Sequence, residues 1–222
     1  MSLEEKQRTA LEALSNGNIA DAVQLLHECV RVAETTHGTD SLFTAQCYFT
    51  LALIIFRTDR SDAGLKGALN FGIKALNTRR AIKGDFDASV ALTAEFLGSI
   101  YRLSNSLPEA ESMYRLCTDI AEQLVGSHHV NTAKAQLELG HVLYLQNKNL
   151  EEATDLVERS LHTRRRVFGS NHDETVTALY VLADVLEARG DTTKATEILH
   201  EAKNLNLLTE NTSLAPSQQA MR

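Results

Sequence analysis

The sequence predicts an all-α chain, a helical-repeat solenoid of about five helix-turn-helix hairpins. Three observations predict it. Glycines recur at 38, 84, 126 and 169, at intervals of 46, 42 and 43 residues, a spacing that holds two helices and a turn. Fourteen residues after each glycine stands a small residue, Ala52, Gly98, Gly140 or Ala183, preceded by Leu51, Leu97, Leu139 or Leu182. The composition, 43% apolar with 11 Gly and only 2 Pro, can bury a continuous interior but is poor in strand and turn punctuation.

Five units follow in order, at about residues 1–37, 38–83, 84–125, 126–168 and 169–206, with 207–222 as a capping segment or a disordered tail. The first has Gly17 as its inner break and Ala22, Leu26 and Cys29 on its second helix. The same slots hold Ala110, Tyr114 and Cys117 in the third unit and Ala195, Leu199 and Ala202 in the fifth. The second unit is longest, and its extra residues around Arg60 to Lys66, with Gly64 and Gly67, predict a longer inner loop. The fourth opens on Gly126-Ser127-His128-His129, breaks at Asn147 and re-enters helix through Glu151-Glu152-Ala153. The fifth copies it with Gly169-Ser170-Asn171-His172, Gly190 and Thr193-Lys194-Ala195. Apolar spacing inside the helices has the 3.6-residue period, as in Val176, Leu179, Ala183 and Leu186. At the turns, Asn171 with Glu174 has the form of a capping box. Arg79, Arg80 and Lys83, like Arg164, Arg165 and Arg166, lie in the last turn before a glycine, where positive charge complements the helix dipole.

Charge and motifs narrow the function classes. A net charge of −7 and a pI near 5.6 give no basic footprint for nucleic acid. Cys29, Cys47 and Cys117 have no paired spacing, as expected in a reducing compartment. The start of the chain lacks the basic and apolar regions of a signal peptide, and the longest apolar run, Leu51 to Phe56, is too short to cross a bilayer. A cytoplasmic protein without membrane insertion is expected. No catalytic constellation is legible: His27-Glu28 has no second histidine for a zinc-protease pair, and Gly64 and Gly67 are not followed by a phosphate-loop Lys. The chain is therefore read as a non-enzyme without cofactor or metal. His129 and His172 share one turn slot, which gives them a structural role rather than a metal. Cys29 and Cys117 share a slot with Ala75, Ser160 and Ala202, where small size is what matters.

The run of Gly169, His172, Leu179, Leu182-Ala183, Gly190, Ala195 and Ala202 resembles a tetratricopeptide repeat, in the longer kinesin-light-chain form. The resemblance covers roughly residues 8–203. It implies a right-handed superhelix whose first helices line a concave groove that binds peptide segments of other proteins. One departure matters. The pairs before each Leu-small step, Phe49-Thr50, Glu95-Phe96, Leu137-Glu138 and Tyr180-Val181, contain no Asn, which argues against a clamp for a terminal carboxylate. The expected groove stripe is Gln46, Phe49, Leu53 and Arg57; Glu95, Ser99 and Arg102; Lys134, Glu138 and His141; and Thr177, Tyr180, Asp184 and Glu187. Arg57, Arg102 and Lys134 beside Phe49 and Tyr180 suit an extended segment with acidic and apolar side chains. An adaptor or scaffold binding a protein segment is the leading expectation. A sensor of a small ligand or signalling peptide is a second. The third is an assembly component that self-associates as a homo-oligomer through Leu205, Leu207 and Leu208.

Overall fold

The computed structural model describes residues 3–213 of the chain and, apart from 4 and 206–213, their side chains. These residues form ten α-helices. They are α1 (Leu3–Ser15), α2 (Ile19–His37), α3 (Leu42–Thr58), α4 (Asp62–Lys83), α5 (Ala88–Leu103), α6 (Leu107–Val125), α7 (Val130–Leu145), α8 (Leu150–Phe168), α9 (Asp173–Arg189) and α10 (Thr192–Ser213). Helices pair in chain order, α1 with α2, α3 with α4, α7 with α8 and α9 with α10. Two compact units result, divided inside α6 after Ile120. Within each unit a pair packs on the following hairpin through its second helix, as α2 does on α3, α4 on α5 and α8 on α9. In the first unit, Tyr48, Leu51, Leu97 and Ile100 are almost wholly buried. In the second, Leu143, Val157 and Leu179 have that role.

One turn is used between repeats. Gly38, Gly84, Gly126 and Gly169 all have φ between 80° and 89°, a region open to glycine and strained for other residues. Three residues later comes the N-cap of the next helix: Ser41, Asp87, His129 and His172 accept hydrogen bonds from the backbone N–H groups of Thr44, Ser89, Asn131 and Glu174. Three residues beyond that, Thr44, Thr132 and Thr175 donate their hydroxyls back to the carbonyls of Gly38, Gly126 and Gly169 at 2.6, 2.7 and 2.8 Å. The expected capping box on Asn171 is therefore corrected, because His172 Nδ1 is the acceptor, 3.2 Å from the Glu174 nitrogen. That is the structural reason for the paired histidine slot.

The inner turns use a second device. Gly17, Asn105, Asn147 and Gly190 adopt positive φ, and the next amide reaches back five residues, as from Lys148 to Leu143 and Asp191 to Leu186 at 3.0 and 2.9 Å. This is the Schellman closure of a helix. The α3–α4 hairpin departs from it. The predicted longer loop is absent: only 59–61 separate the helices, Ser61 caps α4 directly, and the extra residues lengthen α4 to 22 residues against 19 in α6 and α8. Three residues are a little under one helical turn, so the insertion extends the helix with little rotation of its buried face. Gly64 and Gly67 thus lie in helix, not loop.

Two of the arginines before the turns point inward rather than only capping their own helices. Arg79 donates from Nη1 to the Ser89 carbonyl and Thr93 Oγ1 at 3.1 and 2.5 Å, and from Nη2 to Gln46 Oε1 at 2.8 Å. Arg164, at the same slot two repeats later, donates to the Glu174 carbonyl and carboxylate at 2.7 and 2.5 Å. Both are buried, and burial lowers both pKa values. Each ties a second helix to the first turn of the following hairpin. The proposed domain end at 206 falls inside α10, which runs to Ser213. The side chains of Leu207 and Leu208, invoked for self-association, and the tail from 214 lie outside the described residues.

Close approach sets the seam of each hairpin. A Cβ on Gly140 would stand 2.6 Å from Val157 Cγ2 and 3.1 Å from the Ala153 carbonyl oxygen, and Val157 is both buried and stiff about its own Cα–Cβ bond. Gly140→Ala should therefore lose about 1–3 kcal/mol in urea unfolding. A Cβ on Gly67 would meet Ile55 at an ordinary 3.8 Å, so Gly67→Ala should gain about 0.5–1 kcal/mol. Equal midpoints for the two variants would contradict the seam.

Candidate functional site

The expected groove residues repeat on the first helix of each hairpin. Positions eight, eleven or twelve, fifteen and eighteen or nineteen after the turn glycine share one helix face, since these steps are three or four residues. In the second unit α7 packs directly against α9, so side chains from consecutive repeats lie beside one another there.

In the first unit the face is partly consumed by packing. Phe49, expected to be exposed, is only 8% accessible. Its ring meets Phe96 edge-on, with centroids 5.4 Å apart, and the Arg79 guanidinium lies 4.6 Å from its centre. The reason is the inter-repeat joint, where Arg79 also holds Gln46. Phe49 and Gln46 thus serve the joint between α3, α4 and α5. Leu53 is half-buried and Arg57 exposed. Arg60, which the sequence reading did not include, places its guanidinium 3.7 Å from the centre of Phe56, a cation–π arrangement. On α5, Ser99 Oγ lies 3.1 Å from the Tyr114 hydroxyl, while Glu95 and Arg102 are half-buried and engaged with other groups.

In the second unit the face is more open. Lys134, Glu138, His141 and Tyr180 all have partners, and His141 stacks near Tyr144 at 6.2 Å. Thr177 is exposed and donates its hydroxyl to the Asp173 carbonyl at 2.8 Å. Asp184 and Glu187 are exposed, one turn apart on α9, and line a cavity of about 150 Å³ with Ala183, Thr192, Ala195, Thr196 and Leu199. The α10 residues of this cavity escaped the sequence reading. Their signal was the substitution of Leu199 for the Tyr114 of the third unit at one slot. Partial burial raises the Asp184 pKa above the ordinary 3.8 and Glu187 raises it further, while His141 pulls it down.

The remaining chemistry is quiet. Among the described residues no group of three or more His, Cys, Asp and Glu could hold a metal ion, and no helix is long and apolar enough to cross a membrane. All three cysteines are buried. Burial pushes the Cys47 thiol up to about 11 and raises Cys29 as well, which suppresses thiolate chemistry.

A folded-state pKa above the unfolded one disfavours the charged carboxylate in the fold. The stability associated with protonated Asp184 is complete below the unfolded value and is lost as pH rises through the folded one. Asp184→Asn, which mimics the protonated form, should therefore raise the urea midpoint over wild type at pH 7. That advantage should shrink as pH falls toward the ordinary aspartate range; a pH-independent difference would contradict the assignment.

Comparison with known proteins identifies the repeat and its fold. A family model described as tetratricopeptide repeat matches residues 89–161 and 131–205, and a second of the same description matches 11–42. No match was found among curated proteins. Among solved structures, the nearly identical TPR-like repeats of a Podospora anserina kinesin light chain protein superpose with a TM-score of 0.76 at 18% identity, covering 93% of this chain and 96% of that one. BtubC (BKLC) from P. vanneervenii gives 0.77 at 20% identity, covering 100% and 93%. NprR, in complex with its cognate peptide NprX, gives 0.54 at 16% identity, covering 99% and 66%. These likenesses establish a shared helical-repeat solenoid fold.

Proposed function

The chain belongs to the tetratricopeptide-repeat family, and from that premise we propose that it is a non-enzymatic adaptor whose first-helix face binds an extended segment of a partner protein. Membership of this family makes the chain a protein-interaction repeat module. The observation that carries the proposal is the α7–α9 face. There, consecutive first helices touch, their seam positions Gly140 and Ala183 are buried, and the positions one step further round, His141 and Asp184, stay accessible. Side chains of a bound segment at alternate positions would meet successive repeats. The solved NprR complex, of similar fold, holds a peptide.

The first unit favours acidic character in a segment bound there. Arg57 is exposed on α3, Arg60 lies over Phe56, and Arg102 occupies nearly the same repeat position on α5. Guanidinium groups bind carboxylates in bidentate geometry and stack on aromatic rings. Cytoplasmic location belongs to the same proposal, consistent with three buried free cysteines.

The test is selection of random dodecapeptides on the intact chain, with affinities of resynthesised peptides measured by fluorescence anisotropy. Arg57→Glu with Arg102→Glu should weaken acidic peptides by about tenfold or more, with helical circular dichroism unchanged. Unaltered affinities would remove these arginines from the site.

A further inference from the structure

The hairpins fill one seat in three different ways. Four residues after the first buried alanine of the second helix stands Tyr114 in α6, Val157 in α8 and Leu199 in α10. Tyr114 is completely buried, with ring atoms 3.0 to 3.1 Å from where a Cβ on Gly98 would stand, and its hydroxyl meets Ser99. Val157 closes tightly on Gly140. In the last hairpin the seat is larger than its occupant: Leu199 is half-exposed, and the cavity of about 150 Å³ opens beside it. Where the third hairpin has Ser99 bonded to the tyrosine hydroxyl, the fifth has Asp184 at the cavity wall.

We infer that this cavity is a specificity pocket for a lysine or arginine side chain of the bound segment, a claim that rests on the groove-binding reading above. The floor is aliphatic, from Ala183, Ala195 and Leu199, and suits the methylene stem of a long basic residue. Its rim is oxygen-rich, from the Asp184 and Glu187 carboxylates with Thr192 and Thr196. The nearest basic side chains in sequence, Arg189 and Lys194, both turn to Asp191, at 3.7 and 3.4 Å. An incoming cation would therefore displace neither pair, and at Asp184 it would add to the attraction of His141. An acidic residue would be repelled, and a plain apolar one would cover the rim carboxylates without bringing a charge to either. The partial desolvation already imposed on Asp184 strengthens its attraction for a cation.

The selection of random dodecapeptides on the intact chain reads this out. Each basic residue of the enriched peptides is replaced in turn by Glu and by Met. One position should lose about tenfold or more in affinity with Glu, and Asp184→Asn with Glu187→Gln should erase that dependence. The sharper variant is Leu199→Tyr, which fills the seat as Tyr114 does, made on an Ala183→Gly background because Tyr114 lies 3.0 Å from where a Cβ on Gly98 would stand. Relative to Ala183→Gly alone it should keep or raise the urea midpoint while abolishing the preference for a basic residue. Peptides that bind without any dependence on a basic residue, or a dependence that survives Leu199→Tyr, would overturn the pocket; the groove reading would then stand on the response to Arg57→Glu with Arg102→Glu. Absence of any binding peptide would overturn both. A concentration-dependent mass abolished by Leu199→Tyr would give the cavity to a second copy of the chain and likewise overturn the proposal.

Discussion

Everything in this chain depends on how closely the two helices of a hairpin can approach. The residue fourteen after each turn glycine is Ala or Gly because the second helix presses on it, as the contacts around Gly98 and Gly140 show. A hairpin alone buries too little apolar surface to offset its chain entropy, so each relies on the next. The close seam brings the flanking leucines and valines of α7, α8 and α9 to nearly complete burial. It also fixes which residues remain outside, since the position next to the buried small residue is turned to the open face.

The joint between repeats is polar and equally specific. A positive-φ glycine, an N-cap three residues on and a threonine hydroxyl returning to the glycine carbonyl form one closed set of hydrogen bonds. In the third repeat the threonine is replaced by Val90, and Asp87 instead accepts from both the amide and the hydroxyl of Ser89. The buried arginines Arg79 and Arg164 then carry the tie across to the following helix. With these side chains engaged, the turn positions are committed to architecture. The first-helix face is the surface for which we propose function.

Most of the fold was legible because periodicity and turn chemistry are local. The recurring glycines, the Leu-small pairs and the inner breaks at Asn147 and Gly190 all correspond to real turns and seams. The misreadings have separate causes: contact between distant residues, an insertion close to one helical turn, and an uncommon cap. Phe49 reads as exposed by helical phase, yet Phe96 and Arg79, from other helices, cover it. Gly64 and Gly67 read as loop, but the insertion was close to one helical turn and was absorbed by α4. The capping histidine was seen only as a recurrent slot, since an imidazole nitrogen accepting from the backbone is a rarer cap than Asn. The cavity at Asp184 depends on the absence of bulk at Leu199, which no motif records.

The two units present different chemistry on their first helices: arginine and aromatic rings in the first, carboxylates and a cavity in the second. Acidic side chains of a partner would favour the first and basic ones the second, so charge would decide where a segment binds. The most direct measurement is paramagnetic broadening by a nitroxide-labelled selected peptide on methyl-labelled protein. The account predicts broadening of first-helix methyls, such as that of Thr177 on α9 for a basic peptide or those of Leu53 on α3 for an acidic one. Broadening confined to the outward methyls of α2, α4, α6 and α8 would contradict it.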